Sequence, residues 1–172
     1  MAKELYTRTN QKIFYVGLSL ESWRKAQEQG ALNAQALVQA EREATLFHLY
    51  GALLGLCHEV AGYYRLAESR VPRVEQILTP AVLQSAPSAE LAELVELAQQ
   101  PETWLAQLLA AYAGLFQPPQ VPQKAKVDPA TPLIQAVSLE QEEAPLGLET
   151  LVAWRQELTS LTRRFRETLS EW

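Results

Sequence analysis

From Glu41 to Arg65 the chain reads EREATLFHLYGALLGLCHEVAGYYR, and no Asp, Glu, Lys or Arg interrupts it between Ala44 and Cys57. That run is shorter than the ~20 residues needed to span a bilayer, so it reads as a buried core helix. An inner seam is formed by Leu46, Leu49, Tyr50, Leu53, Leu56, Cys57, Val60, Tyr63 and Tyr64. A second stripe carries the small residues Ala44, Gly51, Ala52, Gly55 and Gly62. A helix apolar on nearly every side has to be surrounded by others. A mid-helix glycine costs about 1 kcal/mol against alanine. Several glycines on one stripe therefore imply a neighbouring backbone close by. The helix is expected over residues 34–69, a length of about 50 Å at 1.5 Å per residue.

The flanking sequence supplies the neighbours. Tyr6, Thr9, Ile13, Val16, Leu20 and Trp23 recur at alternating steps of three and four, which predicts a first helix over 2–28. Gly30 suits the residue after a helix and Asn33 suits an N-cap, so EQGALN reads as a tight turn. So short a connection makes the first two helices antiparallel. Pro72 ends the second helix or follows its end, and Pro80 and Pro87 break the next stretch into short helical pieces. Ser88 is placed to cap a helical region over 88–116, with Pro101 restarting it at a first turn. Trp104, Leu105, Leu108, Tyr112 and Leu115 are its inward residues.

Residues 117–145 change character. QPPQVPQKAKVDPATP is proline-rich and polar, unsuited to helix or core strand. This segment is expected to be a partly mobile linker, with Leu133, Ile134, Val137 and Leu139 able to clip part of it down. The last helix is expected over 146–170 on Leu148, Leu151, Val152, Leu158, Leu161, Phe165 and Leu169. The predicted fold class is therefore all-α: one domain over 1–172, an antiparallel bundle of four principal helices (about 2–28, 34–69, 88–116 and 146–170) with a Pro-rich crossover before the last. Abundant Ala, Leu, Glu and Gln fit this, because all four are good helix formers.

Charge and motifs narrow the function classes. The net charge is −5, and no Lys or Arg occurs between Val74 and Gln123, where Glu75, Glu90, Glu93, Glu96 and Glu102 all fall. A nucleic-acid binder needs a positive footprint. The cluster Arg163, Arg164 and Arg166 is interleaved with Glu157, Glu167 and Glu171, the pattern of a solvated helix face. A single cysteine, Cys57, excludes an internal disulfide and a multi-cysteine zinc site. No Glu-x-x-His motif, Gly-rich phosphate loop or nucleophile elbow is present. No metal and no cofactor are expected. The N-terminus MAKELYTRTNQK lacks a signal pattern, so a cytoplasmic protein is expected, with no membrane contact.

Arg42 and His48 form Arg-x5-His on the central helix, which resembles the Arg-x4–6-His pattern of the HEPN ribonuclease superfamily, though Glu43 is an uncommon follower there. The resemblance implies His48 as general acid/base and Arg42 on a phosphate. A wider resemblance is carried by ELYTRTNQK, by ALVQAEREATLFHLYGALLGLCHEVAGYYRL and by the charged amphipathic ending. These stretches are similar to a family of small helical proteins of gammaproteobacteria, of pseudomonad type, assigned only to a domain of unknown function. It implies a bacterial cytosolic protein and carries no site residues with it.

The expected function is a non-enzymatic protein-interaction or regulatory bundle with a protein partner or a second copy of itself. Trp154 falls off the seam set by Leu151 and Leu158, and Trp172 ends the chain. Together with Leu133 and Ile134 these are the expected partner contacts. The last helix or the glycine stripe of the second is the expected self-association face. Two alternatives stand beside this: the ribonuclease with Arg42 and His48, and a ligand-binding bundle with a pocket near His48, Tyr50 and Glu59.

Overall fold

The second helix is the axis of the molecule, as its uninterrupted apolar run requires. The computed structural model describes residues 2–118 and 145–170, and these are helical with no strand among them. In chain order they form α1 (Ala2–Gln29), α2 (Ala34–Tyr63), a 3-10 turn (Val74–Gln76), α3 (Pro80–Ser85), α4 (Ala89–Gln99), α5 (Trp104–Gly114) and α6 (Leu148–Ser170). Helix α2 touches α1, α5, α6 and the 3-10 turn. Leu49, Leu53, Leu56, Cys57, Val60 and Ala61 have no exposed surface.

Helices α1 and α2 form an antiparallel hairpin, and the glycine stripe explains how closely they approach. A Cβ added at Gly62, Gly55 or Gly51 would meet Leu5, Thr9 or Lys12 in turn. At Gly55 it would lie 3.3 Å from the Thr9 Cα itself. The stripe thus packs along α1, with Ala52 and Gly55 buried and Ala44, Gly51 and Gly62 part-buried. Thr9 tolerates full burial because its hydroxyl donates to the Leu5 carbonyl at 3.2 Å.

Several local expectations are corrected. Helix α2 ends at Tyr63, not near residue 69. Arg65 takes φ +55°, and the amides of Leu66 and Arg65 bond back to the carbonyls of Ala61 (2.9 Å) and Gly62 (3.2 Å). That paired closure ends a helix without any proline. The 88–116 region is two helices, because the chain turns over Gln100–Thr103. Pro101 lies in that turn, and the Thr103 hydroxyl caps α5 by accepting from the Ala106 amide at 3.2 Å. Pro80 starts α3 rather than breaking a helix, behind the cap Thr79. Asn33 makes no side-chain cap bond; the hairpin turn closes through backbone bonds, with Gly30 at φ +57°. Ser88 caps α4 as its position implied.

Helix α6 runs antiparallel to α1 and alongside α2. Arg155 reaches the Ile13 carbonyl and Arg166 the Tyr6 carbonyl, while Arg42 on α2 holds the Leu146 carbonyl just before α6 begins. Trp154 is 4% exposed, packed with Leu151 and Leu158. It follows Leu151 by three and precedes Leu158 by four, which is itself seam spacing. The reading of Trp154 as an off-seam surface residue is corrected accordingly.

Candidate functional site

The residues singled out from sequence are placed apart. Arg42 stacks its guanidinium 5.1 Å from the Trp23 ring centroid, donates to the Leu146 carbonyl at 2.9 Å and meets the Gln39 side-chain oxygen. His48 points elsewhere, edge-on to Tyr15 and Phe47 with centroids at 5.3 and 5.5 Å. An arginine so committed, and a ring flanked by two aromatics, do not converge on a common substrate position. The trio His48, Tyr50 and Glu59 is also divided. Tyr50 donates to Glu75 at 2.7 Å, accepts from the Val74 amide at 3.1 Å and stacks on Tyr112. Glu59 is bound to Arg166. Tyr50 lines one hollow and Glu59 a different one. Leu133, Ile134 and Trp172 lie outside the described residues. Among the described residues, no three His, Cys, Asp or Glu side chains come together as a metal site would need.

What the structure does bring together is aromatic. Phe14 is 60% exposed, Leu18 47% and Phe47 49%. Phe14 and Leu18 are one turn apart on α1 and so share a face. The rings connect across the hairpin: Phe14 to Tyr15 at 6.5 Å, Tyr15 to His48 at 5.3 Å, His48 to Phe47 at 5.5 Å. Lys12 lies over the same group, its Nζ 5.4 Å from the Phe47 centroid and 5.8 Å from that of Tyr15. Partial burial and then the neighbouring Arg8 charge lower the Lys12 pKa. Burial first, and Lys12 second, lower that of His48. The His48 Nδ1 is buried without a hydrogen-bond partner. The site is therefore a neutral aromatic strip edged by a cation, suited to contact with another surface.

Beside this strip, two hollows are lined by residues of both α1 and α6. The Arg155 Nε donates to the Ile13 carbonyl at 3.2 Å, and a Cβ on Gly17 would lie 2.9 Å from the Arg155 Nη2. The missing side chain at Gly17 is what lets the guanidinium lie against α1. On one side of Arg155 is a hollow of about 590 Å³ whose wall includes Tyr6, Ile13, Phe14, Thr159 and Arg163. On the other is one of about 410 Å³ bordered by Leu20, Arg24 and Val152.

The model of a family of unknown function, DUF6586, matches residues 1–172. The chain belongs to the DUF6586 family. No curated protein and no solved structure matches it. What this DUF6586 chain does must be read from its own side chains, and no helix among the described residues is long and apolar enough to cross a membrane.

The polar contacts of the DUF6586 fold are mostly tethers. The acidic stretch after Val74 is spent this way: Glu75 binds Tyr50, Glu90 binds Tyr64 at 2.8 Å, and Glu93 takes both terminal nitrogens of Arg164. Burial and the Glu90 carboxylate push the Tyr64 phenol up to about 12. Arg164 holds the Glu93 carboxyl below its ordinary range. Burial holds the Cys57 thiol protonated, so it packs as a small apolar group. Sequence reasoning missed the aromatic strip because Phe14, Leu18 and Phe47 lie off the inward seams. The available signal was the four-residue step from Phe14 to Leu18 outside the seam of α1.

Proposed function

We propose that this chain is a non-enzymatic protein-interaction module. Its scaffold is a single bundle of four arms: α1, α2, the broken arm α4–α5, and α6. Its working surface is the aromatic strip on the α1–α2 hairpin, which meets a protein partner or a second copy of the chain. The connected exposure of Phe14, Leu18 and Phe47 carries this reading. A lone exposed phenylalanine would carry nothing, since much of any protein surface is apolar. A series linked ring to ring across two helices is the kind of patch that marks a contact site.

The ribonuclease alternative loses its footing in the separate commitments of Arg42 and His48, and the ligand alternative in the dispersal of its three residues. The interaction reading is tested by Phe14→Asp and Phe47→Asp in the full chain, expressed in its native cell. Phe14 is 60% and Phe47 49% exposed, so the melting temperature should hardly move. Size-exclusion of the lysate should show the wild-type chain in a complex and both variants shifted to monomer size. Wild-type chain eluting as a free monomer would refute the reading.

A further inference from the structure

We infer that a third hollow, lined by α1, α2 and α5, binds a small organic acid with one aromatic ring, the ring against Phe47 and Tyr112 and the carboxylate on Arg8 and Lys12. This goes beyond the interaction reading and does not depend on it. The hollow is about 240 Å³, below the roughly 300–1,000 Å³ that holds drug-sized ligands, so its occupant is small. Its floor is α2 from Phe47 to His58, about 16 Å at 1.5 Å per residue. Tyr112 enters from α5, its ring stacked on Tyr50 with centroids 3.8 Å apart. Phe47, 49% exposed, presents a second ring. A flat ligand ring can stack on such rings or meet them edge-on.

The polar lining divides into groups already bonded and two cations. The Tyr50 hydroxyl donates to Glu75 and accepts from the Val74 amide. His58 Nε2 donates to the Val71 carbonyl at 2.8 Å. Lys12 is held by its stem, which lies where a Cβ on Gly51 would meet it at 3.3 Å. Its Nζ sits over the Phe47 and Tyr15 rings, at 5.4 and 5.8 Å from their centroids. Arg8 is exposed one turn away on α1, so the two like charges share a face and repel.

That charge selects an anion. Among the described residues no carboxylate lines the hollow. The ion pairs there are Lys25–Glu21, Arg164–Glu93 and Arg166–Glu59, and neither Arg8 nor Lys12 belongs to one. Glu4, one turn before Arg8, lines a different hollow. Partial burial and the Arg8 charge both act against the Lys12 ammonium, and a bound carboxylate offsets both. A neutral ligand would leave the two cations unanswered, and a cationic one would be repelled. An acid without a ring would leave Phe47 and Tyr112 uncovered.

Four probes titrated into the nitrogen-15-labelled full chain test this by amide chemical shifts: benzoate, benzamide, acetate and benzylamine. Benzoate should give saturable shifts centred on the amides of Gly51, Gly55 and Tyr112. Benzamide has the same shape without the charge, and should bind more weakly by on the order of tenfold, the low end for a hydrogen bond to a charged group. Acetate and benzylamine should give no saturable shift. Lys12→Met keeps the stem on Gly51 and removes the ammonium, so it should lower benzoate affinity toward that of benzamide. Arg8→Gln should weaken benzoate in the same direction. Thermal melts of both variants confirm that the fold is kept. Benzoate without a saturable shift, or with shifts centred outside the hollow, would overturn the inference. So would benzamide or acetate binding as tightly as benzoate, benzylamine binding at the same amides, or benzoate affinity unchanged in either variant.

Discussion

The Glu59 carboxylate and the Arg166 guanidinium meet through two hydrogen bonds of 2.9 and 2.7 Å, joining α2 to α6 where Glu59 is 1% exposed. Arg166 also donates to the Asn10 side chain and the Tyr6 carbonyl, and its guanidinium lies 4.4 Å from the Tyr6 ring centroid. One side chain thus ties three helices together. Removing a single partner strands a buried carboxylate, at a cost of about 3–5 kcal/mol. Arg166→Met should therefore lower the melting temperature by roughly 6–20 °C, at about 2–4 °C per kcal/mol for a chain of this size. The double variant Glu59→Leu/Arg166→Met should recover most of the loss, because an apolar pair needs no compensation. A double variant as unstable as the single one would show that the pair is not the tie described.

Gly55 and Gly51 share a stripe but should respond differently to alanine. At Gly55 the new methyl would come 2.6 Å from the Thr9 hydroxyl and 3.3 Å from its Cα, so a backbone has to move. Overpacking of this kind costs about 1–3 kcal/mol. At Gly51 the methyl meets only the aliphatic stem of Lys12, at 3.3 Å and beyond, and a long side chain swings aside. Gly51→Ala should be neutral or stabilising by up to about 1 kcal/mol from helix propensity. Urea denaturation of the two variants checks the contrast.

Tyr50→Phe should cost about 1–3 kcal/mol, because the Val74 amide is buried and the phenol is its acceptor. The ring stack on Tyr112 survives the change, so the loss measures the hydroxyl alone. An unchanged denaturation midpoint would contradict this.

Two windows of pH dependence follow from the shifts. His48 has a folded pKa below its ordinary 6.5, so the unfolded chain takes up the proton first. Its contribution is fully present above about 6.5 and fades as pH falls through the gap to the lower folded value. Glu93, depressed by Arg164, contributes above its ordinary 4.5 and loses that contribution as pH falls further. Melting temperature against pH should show both declines. The upper one should vanish in His48→Gln and the lower one in Glu93→Gln.

Much of the fold could be read from the chain because helix seams are local. The three-four steps placed α1, α2 and α6, and the small-residue stripe announced the close approach that Gly55 and Thr9 now display. The stop of α2 was not legible, since an arginine at the left-handed position carries none of the signal a glycine would. Nor was the break at Gln100–Thr103, where Pro101 was equally compatible with a first helical turn. Trp154 was misplaced by taking Leu151 and Leu158 as a complete seam. The candidate site was the least legible part. Periodicity tells which side of a helix faces inward, whereas the exposure of Phe14 and Phe47 depends on whether another element covers them. The Glu59–Arg166 tie joins residues 107 apart in the chain, a distance at which no local pattern speaks.

Site-specific photo-cross-linking in living cells tests the proposed working surface most directly. A benzophenone amino acid would replace Phe14, Phe47 or, as a control away from the strip, the exposed Glu96. Illumination should yield a discrete protein adduct from positions 14 and 47 and none from 96. Bare, unadducted chain at all three positions, with the protein folded and abundant, would contradict the account.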